Sequence, residues 1–123
     1  WATRKKINLE ELQHQSFLMF PENFSLNSII LDACKQHGFY PTIACRTSQW
    51  HLLADMVLQR MGIALLPQYY TDMLDPSLFA AVPLEKPNIQ WHLVMAWKKN
   101  LPVSPAVQGW LSIVREHFQH IKP

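Results

Sequence analysis

The sequence predicts an α/β protein in which helices cover both faces of a parallel sheet. The main observation is the stretch 40–67, which reads as an apolar run at 42–45, a polar turn, a helix at 49–60, a glycine stop at Gly62 and a second apolar run at 63–66. Neither apolar run alternates with polar residues, which is typical of parallel strands buried on both faces. A crossover of about a dozen residues is also what a parallel pair needs.

The rest of the chain fits the same architecture. Gly38 closes an amphipathic helical pattern, and Ser104-Pro105 combines a good N-cap with proline at the first helical position. The other expected elements are, in chain order, a helical turn at 8–12, a strand at 17–20, helices at 25–37 and 68–74, strands at 78–84 and 90–97, and a helix at 104–120.

Length and charge limit the classes of function. A chain of 123 residues, 49% of them hydrophobic, can bury one modest core. The net charge is +2, and the longest basic run is Arg4-Lys5-Lys6, so no basic stripe tracks a phosphate backbone. We therefore expect this chain, by itself, not to bind nucleic acid strongly.

Cysteine usage and hydropathy bear on the compartment. Cys34 falls on an expected helix and Cys45 on an expected buried strand, without the paired spacing of a zinc site, so both are interpreted as buried, reduced thiols. No apolar stretch approaches the ~20 residues of a membrane span, and no secretion leader is recognisable. These features predict a soluble, cytoplasmic protein with no membrane partner. Because the chain begins at Trp1, we interpret it as a piece of a longer polypeptide.

The junction after the first strand of the 40–67 unit is a candidate ligand site. Thr47 and Ser48 stand where the next helix begins, and helix N-termini offer free N–H groups and a positive dipole end to anions. Ligands of open α/β sheets bind beyond the carboxyl ends of the strands. The alternative is that Ser48 only caps the helix, and the residue types alone do not decide between the two.

Five segments in collinear order resemble the effector-binding domain of LysR-type transcriptional regulators. They are Leu9-Glu10-Glu11-Leu12, the stretch from Cys34 to Pro41, the stretch from Met61 to Pro67, Trp97-Lys98-Lys99-Asn100 and Ser104-Pro105-Ala106. Each is weak alone, but their order and spacing together are specific.

This resemblance implies one subdomain of a two-lobe, type II periplasmic-binding-protein-like fold, with a small-molecule inducer in the cleft between the lobes and signalling by hinge movement. Residues 1–97 would form the second subdomain, and residues 98–123 would return toward a first subdomain absent from this chain. The DNA-binding helix-turn-helix would also lie outside the chain. The family further implies a homodimer or homotetramer.

The resemblance also assigns cleft-lining positions at the three strand ends. They are Phe24, Ser25 and Leu26, then Thr47 and Ser48, then Leu66 and Pro67. Arg46 could contact an effector carboxylate, although a strand-end arginine is more often solvated. Trp50 departs from the smaller or polar residues expected after the turn, and it either fills part of the pocket or packs at the rim.

Catalysis is not expected. Ser48, His51 and Asp55 share one helix face and so cannot form a relay, and no glycine-rich phosphate loop exists. His117 and His120 lack further ligands at matching spacing, so neither a metal nor a cofactor is expected. The alternative function is a solute-binding component of a transport system with the same architecture.

Overall fold

The computed structural model describes residues 3–92, 94, 96 and 102–118. Contacts divide the chain into two compact units, Trp1–His92 and Leu93–Pro123. The elements of the first unit are β1 (Ile7–Asn8), a 3-10 helix (Leu9–Leu12), β2 (Ser16–Met19), α1 (Ser25–Gln36), β3 (Thr42–Arg46), α2 (Trp50–Leu58), α3 (Gln68–Thr71) and β4 (Leu84–Lys86). The second unit contains α4 (Pro105–Phe118).

The centre of the first unit is β2, which has parallel partners on both sides. Along one edge it pairs with β3. Along the other, the Leu18 N–H donates to the carbonyl of Ile63 at 2.8 Å, and the Ile63 N–H donates to the carbonyl of Ser16 at 2.8 Å. The two crossovers between these parallel partners contain α1 and α2. The predicted α/β architecture with parallel strands is confirmed.

Burial separates the central strand from its neighbour β3. Four successive residues, Phe17 to Phe20, are each at most 2% exposed, so both faces of β2 are covered. In β3, by contrast, Thr42, Ala44 and Arg46 are exposed while the residues between them are half-buried. The expectation that β3 is buried on both faces was wrong, because β3 lies at the edge of this parallel group and presents one face to solvent.

Several predicted elements differ in extent. Only Ile63 of the 63–66 run makes a strand-type bridge, and the expected strand at 78–84 begins only at Leu84. Pro83 lacks an N–H, but its carbonyl accepts a hydrogen bond from the Ile7 N–H at 3.1 Å, and β4 follows it to pair with β1. Within the expected strand at 90–97, positions 90–92, 94 and 96 are not in a strand, and residues 93, 95 and 97 lie outside the described part.

The terminal helix also matches its prediction within the described residues. α4 covers 105–118 of the expected 104–120, and residues 119 and 120 are not described. Its apolar side chains include Trp110 and Ile113, which are 55% and 67% exposed. That residues 98–123 pack on another subdomain stays a prediction.

The two crossover helices end in the same way but with different residues. After α1, the Phe39 N–H donates to the Cys34 carbonyl and the Gly38 N–H to that of Lys35, which is the Schellman arrangement, and Gly38 has φ +82° as expected for a C-cap glycine. After α2 the equivalent left-handed position is Arg60, with φ 58°. The expectation that Gly62 stops this helix was therefore wrong.

Gly62 has a different role, which is close approach to β2. A Cβ atom at this position would overlap the main-chain oxygen of Ser16, lie 3.1 Å from its carbonyl carbon and lie 3.3 Å from Cγ of Leu18. Because the Ser16 carbonyl also accepts the Ile63 N–H, the missing side chain is what lets the third strand segment reach β2.

Replacing Arg60 with glycine is expected to raise the free energy of unfolding by about 1 kcal/mol, because a left-handed conformation is strained for residues with a Cβ. The matched control is Gln59→Gly, at an exposed neighbour with φ −76°, which should instead lower stability by roughly 0.5–1 kcal/mol through added chain entropy. Urea denaturation measures both. An equal loss of stability in the two variants would contradict the assignment of Arg60 to the left-handed C-cap position.

Burial of Cys34 in this core determines its chemistry. The side chain is fully buried on α1, and desolvation raises the pKa of its thiol to about 11. It is therefore a protonated, unreactive thiol near neutral pH. Both cysteines are free, as predicted, but the expectation that both are buried was wrong for Cys45, which is half-buried because β3 presents one face to solvent.

Candidate functional site

Three β-to-α junctions lie at one end of the parallel group. The first follows β2 and leads into α1, the second joins β3 to α2, and the third runs from Leu66 through Pro67 into α3. Because the strands are parallel, their carboxyl ends lie at the same end of the sheet. The first two junctions are joined directly, since the Thr47 N–H donates to the carbonyl of Met19 at 3.0 Å. The predicted site residues at 24–26, 46–48 and 66–67 therefore belong to one end of the fold.

At the first junction, the three predicted residues have different environments. Phe24 is half-buried and stacks on Phe20, with ring centroids 5.7 Å apart. Leu26 is buried, whereas Ser25 is exposed and its hydroxyl accepts a hydrogen bond from the indole N–H of Trp91 at 3.1 Å. Ser25 therefore links the start of α1 to a residue far along the chain.

At the second junction, neither hydroxyl caps the first turn of α2. The Thr47 hydroxyl accepts the N–H of Gln49, the N-cap residue, at 3.2 Å. Ser48 is exposed and makes no hydrogen bond to the part of the chain that the structure describes. The N–H groups of Trp50, His51 and Leu52 likewise have no acceptor among the described residues, so this helix end is available to an anion.

Arg46 is paired across the two junctions. Its guanidinium lies 3.7 Å from the carboxylate of Glu22, and the two side chains are 39% and 81% exposed. An exposed ion pair of this kind contributes about 0–1 kcal/mol, so it holds the arginine only weakly. The Arg46 side chain can therefore exchange Glu22 for another carboxylate at small cost.

Leu66 and Pro67 border an apolar groove of about 700 Å³. The groove is also lined by Leu26 and by Trp91, the partner of Ser25. It thus connects the predicted residues of the first and third junctions.

An aromatic cluster at the same end of the sheet was not among the predicted site residues. Trp50 is its centre, with ring centroids 4.6 Å from Phe20, 5.0 Å from Tyr70, 6.2 Å from Trp91 and 6.5 Å from Tyr69. The rings of Tyr69 and Trp91 are nearly parallel, 15° apart at 6.5 Å. The sequence did contain a signal, since Trp50, Tyr69 and Tyr70 each follow an expected strand end within a few residues.

A smaller cavity of about 390 Å³ opens on this cluster. Its lining residues are Gln49, Trp50, His51, Tyr69 and Tyr70. Volumes of about 300–1,000 Å³ are usual for small-molecule sites. Trp50, which was expected either to fill the pocket or to pack at the rim, thus both packs on Phe20 and lines the cavity.

Tyr70 is the buried polar residue of this cavity. The side chain is 7% exposed, and its hydroxyl has no hydrogen-bond partner among the described residues. Burial raises the pKa of Tyr70, and the charge of Asp55 raises it further. The hydroxyl therefore keeps its proton and is a donor without an acceptor, which is a costly state for a buried group.

Within 3–92, 94, 96 and 102–118, no three His, Cys, Asp or Glu side chains are grouped so that they could hold a metal ion. No helix in the described part is long and apolar enough to span a membrane.

Comparison with known proteins gives one consistent result. A profile of the LysR substrate binding domain matches residues 1–119. YwbI of Bacillus subtilis, an uncharacterized HTH-type transcriptional regulator, is 37% identical over 117 residues, which are 95% of this chain and 39% of that protein. GltC of Bacillus subtilis, a transcriptional dual regulator, is 26% identical over 121 residues, which are 98% of this chain and 40% of that protein. The chain spans about two fifths of these relatives.

A solved structure agrees with the sequence matches. The crystal structure of a Pseudomonas aeruginosa protein assigned to the LysR family of transcriptional regulators superposes with a TM-score of 0.76 at 17% identity, covering 95% of this chain and 41% of that one. This similarity shows the fold and confirms the predicted fold class. The relatives named above are transcriptional regulators, which agrees with the expectation from the sequence that this chain is not catalytic.

Proposed function

Because this chain belongs to the LysR substrate-binding domain family, we propose that it is the ligand-sensing part of a DNA-binding transcriptional regulator and that its small-molecule effector binds at the carboxyl ends of the parallel strands. The proposed contacts are Phe24, Ser25, Leu26, Arg46, Thr47, Ser48, Leu66 and Pro67. The transcriptional regulators among its relatives favour this role over a solute-binding component of transport.

The observation that carries the proposal is the convergence of three junctions at one end of the sheet, two of which have free donors. Ser25, Ser48 and the uncapped first turn of α2 offer hydroxyl and N–H groups there. Such groups at a helix N-terminus bind anions. A small carboxylate is therefore the proposed effector type.

Arg46 gives the site a positive charge that a ligand can use. An effector carboxylate that replaces Glu22 would receive charge-assisted hydrogen bonds from the guanidinium, which are about twice as strong as neutral ones. The exchange would also free the loop after β2 from the end of β3. The effector thus competes with an internal carboxylate for one cation.

Signalling in this proposal is a population shift between two arrangements of two lobes. The chain supplies the second lobe, and a first lobe outside the chain closes on the effector by hinge movement. A homodimer or homotetramer in the cytoplasm transmits the change to a helix-turn-helix, also outside the chain, which binds DNA. Residues 98–123 are proposed to pack on the first lobe.

The variant Arg46→Gln tests the charge at the site. In the complete natural polypeptide, a panel of small carboxylates is expected to contain a ligand that raises the melting temperature of the wild type. Arg46→Gln should weaken that ligand about 10- to 100-fold, because hydrogen bonds to charged groups contribute about 1.5–3 kcal/mol. Isothermal titration calorimetry measures both constants.

The matched control is Arg60→Gln, which removes an exposed cation at the other end of α2 and should leave affinity unchanged. Glu22→Gln should tighten binding a few-fold, since the arginine loses its competing partner. Equal affinity in the wild type and Arg46→Gln would remove Arg46 from the site.

A further inference from the structure

The cavity on the aromatic cluster limits the chemistry of its occupant. Three of its five lining residues, Trp50, Tyr69 and Tyr70, are aromatic. Tyr69 is 55% exposed and Trp50 is half-buried, so parts of both rings are available to a ligand. Aromatic rings pair in stacked or edge-to-face arrangements that favour another ring over aliphatic groups of similar area.

The same cavity lies at the start of α2. Gln49 is the N-cap of this helix, and Trp50 and His51 are its first two residues, with N–H groups that have no acceptor in the described part of the chain. An anionic group bound there receives main-chain hydrogen bonds and the positive end of the helix dipole. One cavity thus combines an aromatic wall with an anion-binding helix end.

Tyr70 is an independent indication of a ligand. Its hydroxyl is buried, is without a partner among the described residues and belongs to a residue that lines the cavity. A buried donor of this kind is normally paired, so a ligand acceptor that reaches it would remove the cost of leaving the hydroxyl unpaired. A carboxylate oxygen of the occupant that hydrogen-bonds this hydroxyl would therefore add to the affinity.

We propose that the effector is a planar aromatic carboxylate whose ring packs on Trp50 and Tyr69 and whose carboxylate binds the first turn of α2 and takes a hydrogen bond from Tyr70. This inference rests on the proposed function, because it names the chemical class of the effector of that site. It adds Trp50, Tyr69 and Tyr70 to the binding residues.

The test compares matched acids on the complete natural polypeptide by calorimetry. Benzoate and phenylacetate are paired with cyclohexanecarboxylate and cyclohexylacetate, which keep the carboxylate and lose the planar ring. Benzamide keeps the ring and loses the charge. The tighter of the two aromatic acids is expected to bind about 2- to 12-fold better than its saturated counterpart, to quench tryptophan fluorescence, and to bind better than benzamide.

Two variants assign the effect to this cavity. Tyr69→Leu keeps apolar bulk and removes the ring, so it should abolish the preference for the aromatic acid and leave the saturated acid unchanged. Tyr70→Phe removes only the hydroxyl and should weaken the aromatic acid. Tyr40→Leu, at a residue 73% exposed and outside the cavity lining, is the matched control and should change neither constant.

The outcomes separate this inference from the proposed function. Equal binding of aromatic and saturated acids, both weakened by Arg46→Gln, overturns the aromatic class and leaves the carboxylate site standing. A preference for aromatic acids that survives Tyr69→Leu also overturns it. Failure of all five probes to bind overturns the aromatic class, while a positive result in the wider carboxylate panel would still support the proposed function.

Discussion

Replacing Gly62 with alanine is expected to lower the free energy of unfolding by about 3 kcal/mol. The added Cβ would overlap the main-chain oxygen of Ser16, and backbone cannot move aside as the end of a flexible side chain can. To relieve the overlap, the segment around Ile63 must withdraw from β2 and lose the two 2.8 Å hydrogen bonds that join them. Urea denaturation measures the loss: if the slope m is unchanged, the shift in midpoint multiplied by m gives the change in the free energy of unfolding.

The matched control is Gly109→Ala on α4, where an added Cβ meets nothing within 4 Å. That substitution should raise helix propensity and stabilise by roughly 0.5–1 kcal/mol. If Gly62→Ala lowers the free energy of unfolding and Gly109→Ala raises it, the loss in Gly62→Ala comes from the contact with Ser16 and not from the added methyl group itself. An unchanged midpoint for Gly62→Ala would show that the third strand segment does not need this close approach.

Replacing Phe20 with alanine is expected to cost about 3–5 kcal/mol, because it leaves a large cavity at a residue that is 1% exposed. It should also impair the proposed ligand site, since Phe20 supports Trp50 at 4.6 Å and Phe24 at 5.7 Å. Urea denaturation gives the stability, and the emission of the tryptophans reports the repacking.

Phe20→Leu is the companion variant, which fills most of the volume and should cost less than about 1.5 kcal/mol. Tyr40→Ala, at an exposed aromatic residue, should change stability by no more than about 0.5 kcal/mol. If Phe20→Ala and Tyr40→Ala cost the same, Phe20 does not belong to the core described above.

The parts of the fold that the sequence predicted are those with a local cause. The pattern at 25–37 needs only its own periodicity and Gly38 to specify α1, and the apolar run before Pro21 specifies β2. The strand expected at 78–84 was misplaced, because β4 has only three residues and forms by pairing with two-residue β1, which is too short for any period to show. Arg60 was missed as the helix stop because sequence rules favour a glycine at that position, and Gly62 is close by. Gly62 is instead needed for the close approach to the main chain of Ser16.

The candidate site also has a part that the sequence predicts and a part that it does not. The strand ends at 24–26, 46–48 and 66–67 follow from the order of strands and helices, and their role in binding stays a prediction. The meeting of Trp50 with Trp91, and of Trp91 with Ser25, depends on tertiary packing between distant segments. No spacing rule reports such contacts, although aromatic residues just after strand ends are a usable clue.

The position of β2 has a consequence for biosynthesis. It is the middle strand of its parallel group, yet it leaves the ribosome before either of the segments that flank it. Until Ile63 has been translated, one edge of β2 and much of the apolar surface of Phe17 to Phe20 lack their native cover. Co-translational folding of this unit must therefore wait for a distant segment, and nascent chains that stall early are natural clients for chaperones.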